Sequence, residues 1–235
     1  MKKQTCLVTV VYPGMLTKLR RLVIKHNLIN FVVFFNNFKD KPFVNDVNHH
    51  FYSDNTIFQS RINMIKVLKK INYKYFIFHD IDDDFNYMRY LTLPKLLKKN
   101  DFVINDLKIN NKLYISKRIK NNTKISIESI KNYNFAGMSN SSCTIELIKQ
   151  INIKKKDSIK LMFDWVLWKK AAKISKGIFT NKVFSFYNVN KKNPTHLPTD
   201  YNNNLHVNYI KNIRRKHGIK DNSLKRIKNN FWWEL

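Results

Sequence analysis

Four carboxylates fall within five positions, Asp80, Asp82, Asp83 and Asp84, directly after the run Tyr75-Phe76-Ile77-Phe78-His79. That run is aromatic and β-branched enough for a strand buried on both faces, as in a parallel sheet. The acids cannot follow it into a core unpaired, because burying a lone carboxylate is very costly. They must therefore emerge at the carboxyl edge of a sheet, where open α/β folds bind their ligands. Clustered hard oxygen donors in a basic chain suit a divalent cation such as Mg²⁺ or Mn²⁺. Asp80 and Asp82 are two apart, so on an extended segment their side chains leave on one face. The bland alternative is an acidic turn at the surface.

Other groups could join this chemistry. Asp164 lies in Phe163-Asp164-Trp165-Val166-Leu167-Trp168, on a helix. Its carboxylate could take a proton, or it is a helix-surface acid flanked by core tryptophans. Arg61 could reach a phosphate or sit as a solvated helix charge. His79, His196 and His206 are candidates for a third metal ligand or a phosphate contact. Of these, His196 is the metal-ligand candidate in a late loop, and His79 is expected to pack at the strand end.

The elements that must carry these groups follow from the apolar pattern. Residues 6–12 read as a first strand stopped by Pro13-Gly14, and 15–26 as an amphipathic helix. Residues 31–35 form a second strand, so the chain opens β-α-β and predicts a mostly parallel sheet with right-handed crossovers. A short strand is expected near Phe51-Tyr52. A helix over 55–71 follows, capped by Ser53 or Asp54, and the strand at 75–79 comes next. The pattern then predicts a helix over 87–99 broken near Pro94 and a strand at 101–104. Beyond it come a hairpin around 112–116, a weak strand at 125–127, and a strand meeting a turn at 134–139. Helices at 144–151 and 159–174 and a last strand pair over 178–187 complete the domain. No internal repeat is present.

Composition bounds the rest. With 235 residues, 43% hydrophobic content and 17 Phe, the chain can bury a real core. Only 4 Gly and 5 Pro leave no glycine-rich phosphate loop, and neither a P-loop nor a G-x-G-x-x-G motif occurs. Cys6 and Cys143 have no metal-ligand spacing and are too few for a disulfide framework, which points to a reducing cytoplasm. The N-terminal apolar run is too short for a signal peptide, and no stretch reaches membrane-spanning length. The net charge of +28, from 44 Lys+Arg against 16 Asp+Glu, favours anionic partners or reflects compositional drift toward Lys, Asn and Ile.

Together these motifs resemble a GT-A glycosyltransferase, most nearly the large family 2 of inverting, sugar-nucleotide-dependent enzymes. Residues 76–83 look like that family's strand ending in Asp-x-Asp-Asp. Arg61 and Asn63 sit roughly where the family has an Ala-Arg-Asn helix start. Phe163-Asp164-Trp165-Val166-Leu167 is similar to its Glu-Asp-Trp-x-Leu segment, and Phe135-Ala136-Gly137-Met138-Ser139 resembles the small-residue stretch lining the acceptor side. The likeness covers about residues 5–190. It departs at Asn36-Asn37, where the family usually has an acid for the nucleotide base, at Phe163 in place of Glu, and at His79 in place of an apolar residue.

The resemblance implies an α/β, GT-A-type, Rossmann-like mixed sheet flanked by helices. It divides the chain into a catalytic domain over 1–190, with a nucleotide-sugar half at 5–105 and an acceptor half at 106–190. A basic, aromatic-ended segment follows at 191–235. Asp82 and Asp80 would hold Mn²⁺ or Mg²⁺, with His196 as a further ligand. Asp80, Asp83, Arg61 and Tyr12 would contact the donor nucleotide, which is expected to be a UDP-sugar. Asp164 would be the catalytic base, and Trp165 and Gly137 would face the acceptor, with core packing as the alternative for Trp165. Asp84 is expected to be an idle surface acid.

The expected reaction is metal-dependent, inverting sugar transfer to a cell-surface glycan of lipopolysaccharide or capsule type. A lipid-linked acceptor and an anionic membrane surface are the expected partners, at the inner face of the membrane, with no nucleic acid. The tail, through Lys211–Lys228 to Phe231-Trp232-Trp233, could lie on that membrane or pack on the domain. Rival classes are a nucleic-acid-binding protein, argued from charge and 14% aromatics, and a metal-dependent phosphotransferase or nuclease that shares the acid cluster.

Overall fold

The computed structural model describes residues 4–109, 111–132, 135–154 and 163–188. One nine-stranded sheet runs through them in the order β3-β2-β1-β4-β8-β5-β9-β7, with β6 paired to β5. The first half is parallel: β1 (Thr5–Val11), β2 (Phe31–Asn36), β3 (His49–Ser53) and β4 (Tyr75–Asp80). β8 (Ser141–Thr144) runs antiparallel between β4 and β5 (Phe102–Ile109), and β5 pairs in parallel with β9 (Gly177–Phe186). β6 (Lys112–Leu113) forms a hairpin with β5, and β7 (Lys124–Ile125) closes the far edge. The fold is α/β, with a mixed, mostly parallel sheet flanked by helices, as the sequence pattern predicts.

Period-two alternation sorts the strand side chains into two cores. Val8, Val32, Phe34, Phe76 and Phe78 pack beneath α2 (Ile57–Leu68), α5 (Ile145–Gln150) and α6 (Phe163–Ile174). Leu7, Val11, Phe31, Val33, Phe35 and Ile77 pack beneath α1 (Leu16–Lys25) and α3 (Tyr87–Leu97). Every side chain of β2, and all of β4 but Asp80, is buried, as sheets covered on both faces require.

The chain leaves β1 through α1 toward β2 and β3, then returns through α2 to β4 on the other side of β1. The switch point therefore lies between the carboxyl ends of β1 and β4, where such folds open a crevice. Tyr12 and Asp80 stand on its two sides.

Several elements differ from expectation. Thr56, rather than Ser53 or Asp54, caps α2, its side chain accepting from Gln59 N–H. The Ser53 hydroxyl is instead spent on Asn36. α3 continues through Pro94, because Leu93, Pro94 and Leu97 are all buried against the sheet and hold the turn in place. The stretch ending at Ser139 is a loop, and the strand begins only at Ser141. There the side chains are small and polar, and their hydroxyls are satisfied by the carbonyls of Met138 and Val103. The segment at 125–127 is two elements, since β7 gives way to α4 (Ile127–Asn132). The expected last strand pair is one strand, β9, whose register shifts opposite Asn105 and Asp106. Among the described residues no helix is long and apolar enough to cross a membrane. The tail beyond 188, with His196 and His206, lies outside them, as does the start of the helix expected from 159.

Candidate functional site

β4 ends at Asp80, and the acids after it lie on a turn rather than an extended segment, closed by Asp83 N–H donating to the Asp80 carbonyl at 3.1 Å. Ile81 and Phe85 anchor the turn in the core beneath α1 and α3. Asp82 stays partly open and Asp84 exposed. The Asp82 carboxylate accepts no hydrogen bond among the described residues. Its backbone carbonyl is held by Lys18 Nζ at 3.2 Å and Asn188 Nδ2 at 3.0 Å.

A second acid reaches the same place from the opposite element. Phe58 of α2 meets Phe163 of α6 edge-on, with centroids 5.5 Å apart, which draws the two helices together. Arg61, one turn beyond Phe58, then donates from Nη1 to Asp164 Oδ1 at 2.5 Å and from Nη2 to Asp80 Oδ1 at 3.2 Å. One guanidinium thus bridges the strand end and the α6 acid. These side chains are 18%, 23% and 30% exposed for Arg61, Asp164 and Asp80, so the pair is shielded but reachable. Asp164 also accepts from Met138 N–H at 3.3 Å through Oδ2. Its place in the first turn of α6 suits an anion near a helix N-terminus.

Ser139 ties the acid turn to the middle of the sheet. Its hydroxyl accepts from Asp80 N–H at 3.2 Å and donates to the carboxylates of Asp83 and Asp80. Its carbonyl accepts from Ser185 Oγ of β9 at 2.6 Å. Asp83 is buried, taking Ser139 on one oxygen and Asn188 N–H at 2.8 Å on the other. One oxygen of Asp83 therefore ties the turn to the loop before β8 and the other ties it to the chain just after β9.

The electrostatics are those of crowded acids. Burial pushes the Asp80 carboxyl up toward about 7, with Asp164 and Asp82 adding to the rise and Arg61 opposing it. Burial likewise holds Asp83 well above the usual carboxylate range, reinforced by Asp80 and Asp82. Burial alone would lower Arg61, but Asp164 and Asp80 hold it above its ordinary value, so it stays charged. The Tyr12 hydroxyl is buried with no hydrogen-bond partner among the described residues, and burial raises it. Arg61 and the carboxylates of Asp80, Asp164 and Asp82 are close enough to act on its titration.

The donor set fits a hard divalent cation. Asp80, Asp82 and Asp164 gather around one guanidinium, and the Asp82 carboxylate accepts no hydrogen bond among the described residues. Among the described residues no group of three or more His, Cys, Asp or Glu forms a ready cage. Mg²⁺ commonly takes only one or two protein carboxylates and completes its shell with phosphate and water. His196 lies outside the described residues.

The remaining candidates divide. Gly137 belongs to the site: its N–H donates to Asn140 Oδ1 at 2.8 Å, and a Cβ there would stand 3.9 Å from Asp164 Oδ2. Trp165 is core, 5% exposed, with its indole N–H donating to the Ile130 carbonyl at 2.6 Å. His79 packs at the strand end as expected, edge-on to Phe85, and burial drives its pKa down to about 3. Asn36, which stands where an acid was expected, is buried and spent on Ser53, Ser60 and Asn55.

Sequence reasoning missed Ser139, Asn188 and Arg89 as site residues. Arg89 is fully buried behind the acid turn, donating to the carbonyls of Phe78 and Ser141 and to Asn105. Its only warning was a charged residue on the apolar stripe of α3. Ser139 was named only as the end of a small-residue stretch, and no pattern marks Asn188.

No family model matches the chain, and no curated protein sequence does. Among solved structures it is similar to TarS of S. aureus, at a TM-score of 0.59 and 14% identity, over 80% of this chain and 37% of that one. A TarS structure spanning 1–349 gives a TM-score of 0.57 at 14% identity, over 79% of this chain and 60% of that one. The chain thus spans less than two thirds of either TarS chain, and what it shares with TarS is the fold.

Proposed function

We propose that this chain is a metal-dependent, inverting glycosyltransferase that moves a sugar from a nucleoside diphosphate donor, a UDP-sugar, to a cell-surface glycan or lipid-linked acceptor. The observation that carries the reading is the Arg61 bridge. It gathers a strand-end acid at the switch point and an acid from α6 around one crevice, on a fold shared with a glycosyltransferase.

In this reading Asp82, with Asp80, holds Mg²⁺ or Mn²⁺, which when bound supplies Lewis-acid stabilisation of the departing diphosphate. Arg61 keeps Asp80 and Asp164 apart from each other's repulsion and fixes the orientation of Asp164. Asp164, steadied by Arg61 and by Met138 N–H, takes the proton of the acceptor hydroxyl as that oxygen attacks the anomeric carbon. Gly137 leaves room beside Asp164 Oδ2 for the hydroxyl to approach. Tyr12 offers the donor a hydroxyl that has no hydrogen-bond partner among the described residues, from the end of β1. Asp83 and Ser139 keep the acid turn fixed and do not touch substrate. A location at the inner face of the membrane belongs to the same reading.

The test is release of nucleoside diphosphate by wild type, Asp82→Ala and Asp164→Ala across a panel of nucleotide-sugars with Mn²⁺. Loss of about a hundredfold or more is expected in each variant, the scale of a removed acid–base or charge-stabilising group. Wild-type rates in both would sink the mechanism.

A further inference from the structure

The two helical layers differ in what they show to solvent. Among the described residues eight large hydrophobic side chains are exposed, and six of them, Ile24, Leu28, Phe43, Tyr52, Met88 and Leu91, lie on the side of α1 and α3. Among the described residues, the layer built from α2, α4, α5 and α6 exposes one large hydrophobic side chain, Ile174. His26, at the end of α1, stacks on Tyr87 at the start of α3 with centroids 5.7 Å apart. Ile24 and Leu28 on one side of that stack and Met88 and Leu91 on the other therefore border a common surface. Exposed cations are set among them: Arg20, Arg21 and Lys25 on α1, and Lys95 on α3 in the stripe of Met88 and Leu91. Neither helix carries an Asp or a Glu.

Charge decides what can cover such a face. A second copy of a chain at +28 is repelled. The chain's own segment 189–235 holds ten Lys/Arg against three Asp/Glu, so it repels the face as well. An anionic occupant remains. Protein interfaces anchor on aromatic or arginine side chains seated in pockets. Here the projecting groups are mainly aliphatic ends beside long, flexible cations, which suits a fluid surface better than a shaped one.

We propose that the α1/α3 face docks on an anionic membrane surface, with Ile24, Leu28, Met88 and Leu91 entering the interface and the flanking cations meeting lipid phosphates. The candidate site lies on one border of this face. Lys18 of α1 holds the Asp82 carbonyl, and α3 begins directly after the acid turn. Docking this way sets the crevice beside the bilayer. The docking does not depend on which reaction the crevice performs.

The test is cosedimentation of the full chain with phosphatidylglycerol–phosphatidylcholine vesicles and with phosphatidylcholine vesicles alone. One variant carries Ile24→Ser, Leu28→Ser, Met88→Ser and Leu91→Ser, and another Arg20→Gln, Arg21→Gln and Lys25→Gln. A third carries Lys211→Gln, Arg214→Gln, Arg215→Gln and Lys216→Gln in the tail. Salt-sensitive binding to the anionic vesicles is expected, weakened about tenfold or more in each face variant and by less than about threefold in the tail variant. Melting temperature, and diphosphate release without vesicles, should stay at wild-type values in the face variants, which separates this proposal from the catalytic one. Wild-type binding by both face variants, or equal binding to neutral vesicles, would overturn it.

Discussion

Arg61 is the residue on which the site turns, because among the described residues it alone joins an acid of β4 to an acid of α6. A planar fork can satisfy two carboxylates at once, whereas an ammonium is a compact point charge. Arg61→Lys should therefore keep the site neutralised but loosen Asp164, lowering diphosphate release about tenfold, and Arg61→Met should cost more. In a cycle with Asp164→Asn, the stability coupling between the two positions should be about 1–3 kcal/mol. Additive effects would mean that the contact does not hold the site. His79 carries a different prediction. Its imidazole is kept neutral down to about pH 3 by burial, helped by Arg89 and His26, while the unfolded chain takes up that proton near 6.5. Its contribution to stability is therefore complete above pH 6.5 and is lost as pH falls toward 3. Asp80, raised toward about 7 from 3.8, acts in the other direction, its contribution present in acid and lost as pH rises through 7. Comparing wild type with His79→Leu in metal-free buffer isolates the histidine. Between pH 7 and 5 the melting temperature of the variant should rise relative to that of wild type, and parallel curves would refute the assignment.

At the scale of elements, the second half of the sheet depends on a close approach between β5 and β9. Gly177 starts β9 directly over the ring of Phe102, and a Cβ there would collide with that ring. Phe102 cannot swing away, since it is fully buried and stacks on Trp168 at 5.6 Å. Gly177→Ala should cost about 1–3 kcal/mol, the usual scale of overpacking, measured by denaturant unfolding; a cost under about half a kcal/mol would show that the pair can shift. The same half of the sheet is where the sequence was hardest to read. β1, β2 and β4 are apolar runs that announce a doubly covered strand, and Asp80 was legible as the end of one. β8 is Ser141-Ser142-Cys143-Thr144, and the Ser142 hydroxyl is satisfied by the Val103 carbonyl, supplied from far along the chain. No local pattern carries that information. β9 changes register in mid-strand, so its alternation breaks and reads as two pieces. The site divides likewise. Asp82, Asp164 and Arg61 stand out by charge, while Ser139 and Asn188 matter only through partners that the fold brings to them. Trp165, read as either acceptor ring or core, was undecidable until Ile130 was seen beneath its indole.

For the molecule as a whole, the informative contrast is between a net charge of +28 and a crevice lined by carboxylates. The wide field draws anionic ligands in, while the crevice itself repels a bare diphosphate. A cation that neutralises Asp80 and Asp82 would relieve both the repulsion among the acids and the repulsion of the ligand, so nucleotide and metal should bind with positive coupling. Thermal unfolding tests this directly. UDP in EDTA should shift the melting temperature little, Mn²⁺ alone modestly, and the two together by more than the sum. A ligand at a hundred times its dissociation constant adds about 2.7 kcal/mol, which for a chain of this size is several degrees. Asp82→Ala should abolish the synergy without lowering the melting temperature of the unliganded protein, because the Asp82 carboxylate supports no contact among the described residues. A UDP shift that is equally large in EDTA would remove the metal from the reading, and one that survives Asp82→Ala would move the metal to other residues.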